Sequence, residues 1–137
     1  MRNSETRSQY KFGESKLASA ISSVLTKAGI PPERKGYAYL AWAIRLVCED
    51  IELTGAVSKG LYPAVAEKFG TSPGAVERAM RTAIACSFEK RAKEEPVRER
   101  GEDRKTNSAF IFEATEQVKM LLDKTDHIAG VIDHENG

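Results

Sequence analysis

A chain of 137 residues, 41% hydrophobic and 30% charged, is long enough to bury one core without disulfides or a metal. Its net charge of +1 argues against a crude polyanion binder, and no apolar run approaches the ~20 residues that cross a bilayer. The start, MRNSETRSQYKFGES, lacks the apolar centre of a signal peptide, so the expectation is a cytoplasmic protein without membrane contact.

The helical rhythm begins at Ser15. Leu17, Ile21, Val24 and Leu25 recur at i, i+4, i+7 and i+8, one buried face of an amphipathic helix. Gly29 stops this helix, and Pro31-Pro32 forbids its continuation. A second helix is expected from near Pro32 to about Asp50. Its apolar stripe is Tyr37, Leu40, Ala41, Ile44, Val47, Cys48 and Ile51, with Trp42 at an edge. ELTGAVSKG reads as a loop with room for one short turn. Pro63 suits the first turn of a third helix, whose Val65, Ala66 and Phe69 face inward. Gly70 supplies a left-handed cap, Ser72 can cap the next helix through its hydroxyl, and Pro73 takes the first helical position. This fourth helix is expected to run to about Lys93.

Beyond it, EEPVRERGEDRK is a charged connection broken at Pro96 and Gly101. The last helix starts near Thr106 or Asn107, with Phe110, Ala114, Val118 and Leu121 as its core face. No stretch shows strand alternation. The fold expected is all-α, a bundle of five to six helices containing a helix-turn-helix and no wing. Residues 1–14 are expected as a flexible N-terminal arm, 15–123 as a single helical domain and 124–137 as a flexible C-terminal tail. Cys48 and Cys86 lie far apart inside helical patterns, which favours reduced, buried thiols over a bridge or metal site. His127 and His134 fall in the weakly patterned tail.

Charge is unevenly spread. Residues 59–105 hold eleven Lys/Arg against eight Asp/Glu, and residues 106–137 hold two against six. A basic middle and an acidic end are compatible with a nucleic-acid face. On a wheel of 100° per residue, Val76, Met80, Ala83, Ile84 and Ser87 of the fourth helix fall within about a third of the circle. Gly74, Arg78, Arg81 and Ala85 lie opposite, with Ala75 and Thr82 along one edge and Glu77 along the other. In a helix-turn-helix the second helix enters the DNA major groove, where Arg pairs with guanine and Glu accepts from cytosine. Small residues at Gly74 and Ala75 let the helix start approach the duplex, and Ala66 suits a close helix crossing. The same pattern fits an ordinary helical hairpin in which Glu77 and Arg81 are only an i, i+4 support pair. No Gly-rich phosphate loop or His/Cys cluster with metal spacing is present, and Glu94-Glu95 and Glu102-Asp103 lie in a solvated charge run. Neither an enzyme nor a cofactor is expected.

The segments KGYAYL, DIELTG, KGLYP, AEKFGT and VERAMR, in this order and spacing, and TNSAFI farther on, resemble the C-terminal effector domain of the stage 0 sporulation protein A family. These regulators start sporulation in endospore-forming bacteria. The resemblance covers about residues 17–122 and implies a six-helix DNA-binding domain. It implies recognition of double-stranded DNA boxes of the TGTCGAA type, dimers on tandem sites and contact with an RNA polymerase sigma factor. By position, Glu77, Arg78 and Arg81 match the family's DNA-contacting helix, and Lys59 and Lys68 are candidate phosphate contacts. Ala75 stands where the family carries Arg, and Thr82 where it carries His, so the box read here is expected to differ. Family members carry an N-terminal phosphorylated receiver domain. Sixteen residues precede Leu17 here, so control by the chain's own phosphorylation is not expected. Residues 89–105 are shorter and more charged than the family's sigma-contacting stretch, which speaks against direct activation. Phe112 points away from the core stripe of the last helix, beside Glu116 and Lys119, as a candidate dimer contact or a residue covered by a neighbouring segment. The expectation is a sequence-specific transcriptional regulator acting at the nucleoid. The alternative is an interaction module that pairs with a full-length regulator or polymerase subunit and antagonises it.

Overall fold

A computed structural model describes the backbone of residues 2–94 and 105–136, and the side chains of residues 15–90 except Thr54, of Lys93 and of residues 105–124. Five α-helices follow one another: α1 (Arg2–Ala28), α2 (Lys35–Glu49), α3 (Tyr62–Phe69), α4 (Pro73–Glu94) and α5 (Asn107–Asn136). A 3-10 turn (Ile51–Gly55) and a π-helical turn (Val57–Leu61) join α2 to α3. No strand occurs among the described residues, in agreement with the all-α expectation.

Helix ends follow local chemistry. At α1, Gly29 takes φ 85°, so the Gly29 N–H reaches the Thr26 carbonyl at 3.0 Å and the Ile30 N–H reaches the Leu25 carbonyl at 3.1 Å. This double closure satisfies carbonyls that the helix end would orphan, and it turns Ile30 into the core at 2% exposure. The Pro31-Pro32 pair holds the next segment out of helix, and α2 begins at Lys35 rather than at Pro32. At its other end, α1 continues back to Arg2 through the stretch expected as an arm. That stretch contains no proline to stop helix propagation. Helix α5 likewise continues to Asn136. The charged connection at residues 95–104 and the His127 and His134 side chains lie outside the described residues.

Helix α2 is the centre, packed against α1, α4 and α5. Leu40, Ala43, Ile44 and Val47 are fully buried, surrounded by Leu25, Leu61, Val65, Val76, Met80 and Val118. Each large side chain so withdrawn from water contributes about 1.5–3 kcal/mol, the main term set against chain entropy.

Three expected core positions fall elsewhere. Phe69 is 39% exposed, its ring tilted against Tyr39 at 5.1 Å, because it is the last residue of a short helix and sits at the rim. Ile51 is 48% exposed, because α2 ends at Glu49 and the chain has already turned into the 3-10 segment. Leu121 is 36% exposed, whereas Ile111 and Thr115 are buried in its place. Helix α5 meets α1, α2 and α4, so its buried arc is wider than a single stripe and its centre rotates toward Ile111 and Thr115. Thr115 satisfies its hydroxyl there by donating to the Ile111 carbonyl at 2.8 Å. Cys48 and Cys86 are free and only partly buried. Burial raises the Cys48 thiol pKa, with Lys119 lowering it and Glu49 raising it to smaller extents.

Candidate nucleic-acid interface

The site is built from the turn upward. Gly70 adopts φ 66°, a left-handed conformation that costs glycine nothing, and it lets the Thr71 N–H close on the Ala66 carbonyl at 2.9 Å. Two residues later the Ser72 hydroxyl accepts from the Ala75 N–H at 3.1 Å, with Pro73 as the first residue of α4. A left-handed cap followed at once by an N-cap forces α4 off at an angle to α3. Val65 and Ala66 of α3 and Val76 and Met80 of α4 are buried and hold that angle.

The inward face of α4 is the one expected: Val76, Met80, Ala83, Ile84 and Ser87 are buried. Gly74, Arg78, Arg81 and Thr82 are exposed on the other side, and Ala75 and Glu77 are half-buried along the edges. Arg81 Nη1 donates to Glu77 Oε2 at 2.8 Å, a pair with 60% and 33% of the side chains exposed. In such a solvated setting the pair is worth only a few tenths of a kcal/mol and yields readily to a stronger partner. Arg78 has no ion pair among the described residues. Its guanidinium folds back over the first turn, 3.4 Å from where a Cβ would stand on Gly74.

Beneath this face lies a polar junction absent from the sequence reading. Asn107, at the start of α5 and 8% exposed, donates from Nδ2 to the Tyr62 hydroxyl at 2.9 Å and to the Glu77 carbonyl at 3.1 Å. One carboxamide therefore ties α3, α4 and α5 together at the turn that carries Glu77, Arg78 and Arg81. Tyr62 is raised above the ordinary phenol pKa. Burial is the largest cause, the Asn107 hydrogen bond and Arg81 oppose it, and Glu77 adds to it. Thr106 Oγ1 accepts from the Ala109 N–H at 3.1 Å, an N-cap that fixes the first turn of α5 in which Asn107 lies.

The two lysines are set apart from α4. Lys59 is exposed in the π-helical turn. The Lys68 ammonium sits 4.5 Å above the Trp42 ring, with the Arg45 guanidinium 5.3 Å from the same ring. A phosphate would have to compete for Lys68 with a cation–π contact of about 0.5–1 kcal/mol. Phe112 is 45% exposed on the outer side of α5, and Met120, two turns farther on, is 69% exposed.

A short helix, a left-handed turn and a second helix with an exposed basic face define a helix-turn-helix domain of the DNA-binding type. Residues 21–118 match the family model described as sporulation initiation factor Spo0A C terminal, and the chain belongs to that family of DNA-binding transcriptional effector domains. No described helix is long and apolar enough to cross a membrane.

Proposed function

We propose that this chain is a sequence-specific regulator of transcription that reads double-stranded DNA with α4. The observation that carries the reading is the triad of exposed Arg78 and Arg81 with half-buried Glu77 on the second helix of the turn, backed by a fully buried inner face. Arg78 reads guanine bidentately. Arg81 exchanges its Glu77 partner for the duplex, which frees the Glu77 carboxylate to accept from cytosine. Gly74 and Ala75 let the helix start approach the bases. TGTCGAA-like boxes are the class of site to test, with the base that Arg would read in the family relaxed by Ala75. Two copies on tandem boxes meet through the outer side of α5 around Phe112, and binding proceeds without a phosphodonor.

A mobility-shift titration tests this with a TGTCGAA-type duplex against a scrambled one. Wild type binds the first more tightly, and Arg78→Ala loses about 1–3 kcal/mol on it with relaxed choice at one base. Equal loss on both duplexes would make Arg78 a phosphate contact. Binding seen only after acetyl phosphate treatment would refute independence from phosphorylation. Failure to bind either duplex would favour an interaction module, for which the exposed Phe112 and Met120 are the supporting observation.

A further inference from the structure

We infer that Arg34, Lys35 and Thr82 form a clamp for one strand of the DNA backbone beside the reading helix, an inference that rests on the DNA-binding reading above. The start of α2 is pressed against α4 at Gly36. A Cβ there would overlap the Ala79 carbonyl oxygen and lie 2.6 Å from the Ala83 Cβ, so only glycine permits the approach. This crossing brings Arg34 and Lys35, 43 and more residues away in sequence, to the flank of α4. Together with Arg78 and Thr82 they line one open surface depression, which Glu33 also borders. All five of these side chains are exposed. Among the described residues, Arg34, Lys35 and Arg78 have no acidic partner, so three cations face one carboxylate across the depression.

The geometry also revises Thr82. It lies eight residues along α4 from Gly74, about 12 Å up the helix axis at 1.5 Å per residue. In a helix-turn-helix the N-terminal residues of the second helix reach the base edges. A residue about two turns farther up lies at the rim of the groove, where sugar and phosphate pass. Hydroxyls and basic side chains make contacts of that kind, which set register and orientation without reading sequence. Thr82 is thus a backbone contact, and Arg34 and Lys35 extend the basic surface to an element outside the helix-turn-helix. Arg78 stands where the clamp meets the reading face.

The test is fluorescence anisotropy with the full chain on a TGTCGAA-type duplex and on a scrambled one, from about 50 mM to about 200 mM salt. Each phosphate contact contributes about 0.9 to the slope of log K against log salt. For Arg34→Ala with Lys35→Ala the slope falls by about 2, and the fourfold salt change costs about twelvefold less affinity than in wild type. The loss is the same on both duplexes. Glu33→Gln moves the other way and tightens both. All three positions are exposed, so circular dichroism matches wild type. An unchanged slope in the double variant, or a loss confined to the boxed duplex, overturns the clamp while the DNA reading stands. Wild type that binds neither duplex overturns both.

Discussion

Replacing Asn107 by Ala removes the junction beneath the reading face, and its cost can be worked from the contacts. The carboxamide donates two hydrogen bonds, but their losses differ. The Glu77 carbonyl still accepts the helical N–H four residues on, so it is not orphaned. The Tyr62 hydroxyl, in a residue only 8% exposed, loses its Asn107 partner and carries an unmet desolvation cost of about 1–3 kcal/mol. With a small term for the lost second bond, Asn107→Ala costs about 2 kcal/mol, or a fall in Tm of about 5–8 °C in a domain of this size. Urea unfolding followed by circular dichroism measures it. Tyr62→Phe alone costs about 1 kcal/mol. The double variant costs less than the sum by about 1 kcal/mol, because replacing both partners leaves nothing unsatisfied. The same single variant loosens the Glu77–Arg81 turn, so preference for boxed over scrambled DNA falls while the salt slope holds. Strict additivity in the cycle, or an Asn107→Ala change within about 0.5 kcal/mol of wild type, would refute the junction as an energetic tie.

Gly36→Ala sets about 1 kcal/mol of gained helix propensity against overlap with the Ala79 main chain; a backbone carbonyl cannot move aside cheaply, so the net result is a loss of about 1–3 kcal/mol in urea unfolding, and a stabilised variant would contradict the crossing. Tyr62 has a raised folded-state pKa, so its contribution is complete below the unfolded phenol value of about 10 and is lost as pH rises through the higher folded value. Stability therefore declines above about pH 10, and Tyr62→Phe flattens that limb in pH-dependent denaturation. Phe112→Asp leaves helicity and single-box binding near wild type but abolishes cooperative binding to two boxes; persistent cooperativity in a folded variant would place the dimer surface elsewhere.

The parts legible in the sequence were those set by neighbours a few residues apart. Gly29, Gly70, Ser72 and Pro73 punctuate the chain through local dihedrals and caps, and they act as read. The period of Val76, Met80, Ala83, Ile84 and Ser87 identified the inner face of α4, and with it which side Arg78 and Arg81 must take. Periodicity set the side on which the triad lies, and the resemblance to the family supplied its expected DNA role. What local pattern could not determine is which helix lies over which. Phe69, Ile51 and Leu121 are as apolar as their neighbours, and only helix length and the number of packed partners decided that they sit at the rim. Asn107 and Tyr62 are 45 residues apart, and neither carries a local sign of the bond between them. Arg34 and Lys35 read as ordinary surface charge until Gly36, by lacking a side chain, allows α2 to close on α4. Caps and periods are short-range steric and hydrogen-bonding effects written into adjacent residues, whereas the polar junction and the basic flank exist only once hydrophobic burial has fixed the crossings of distant helices.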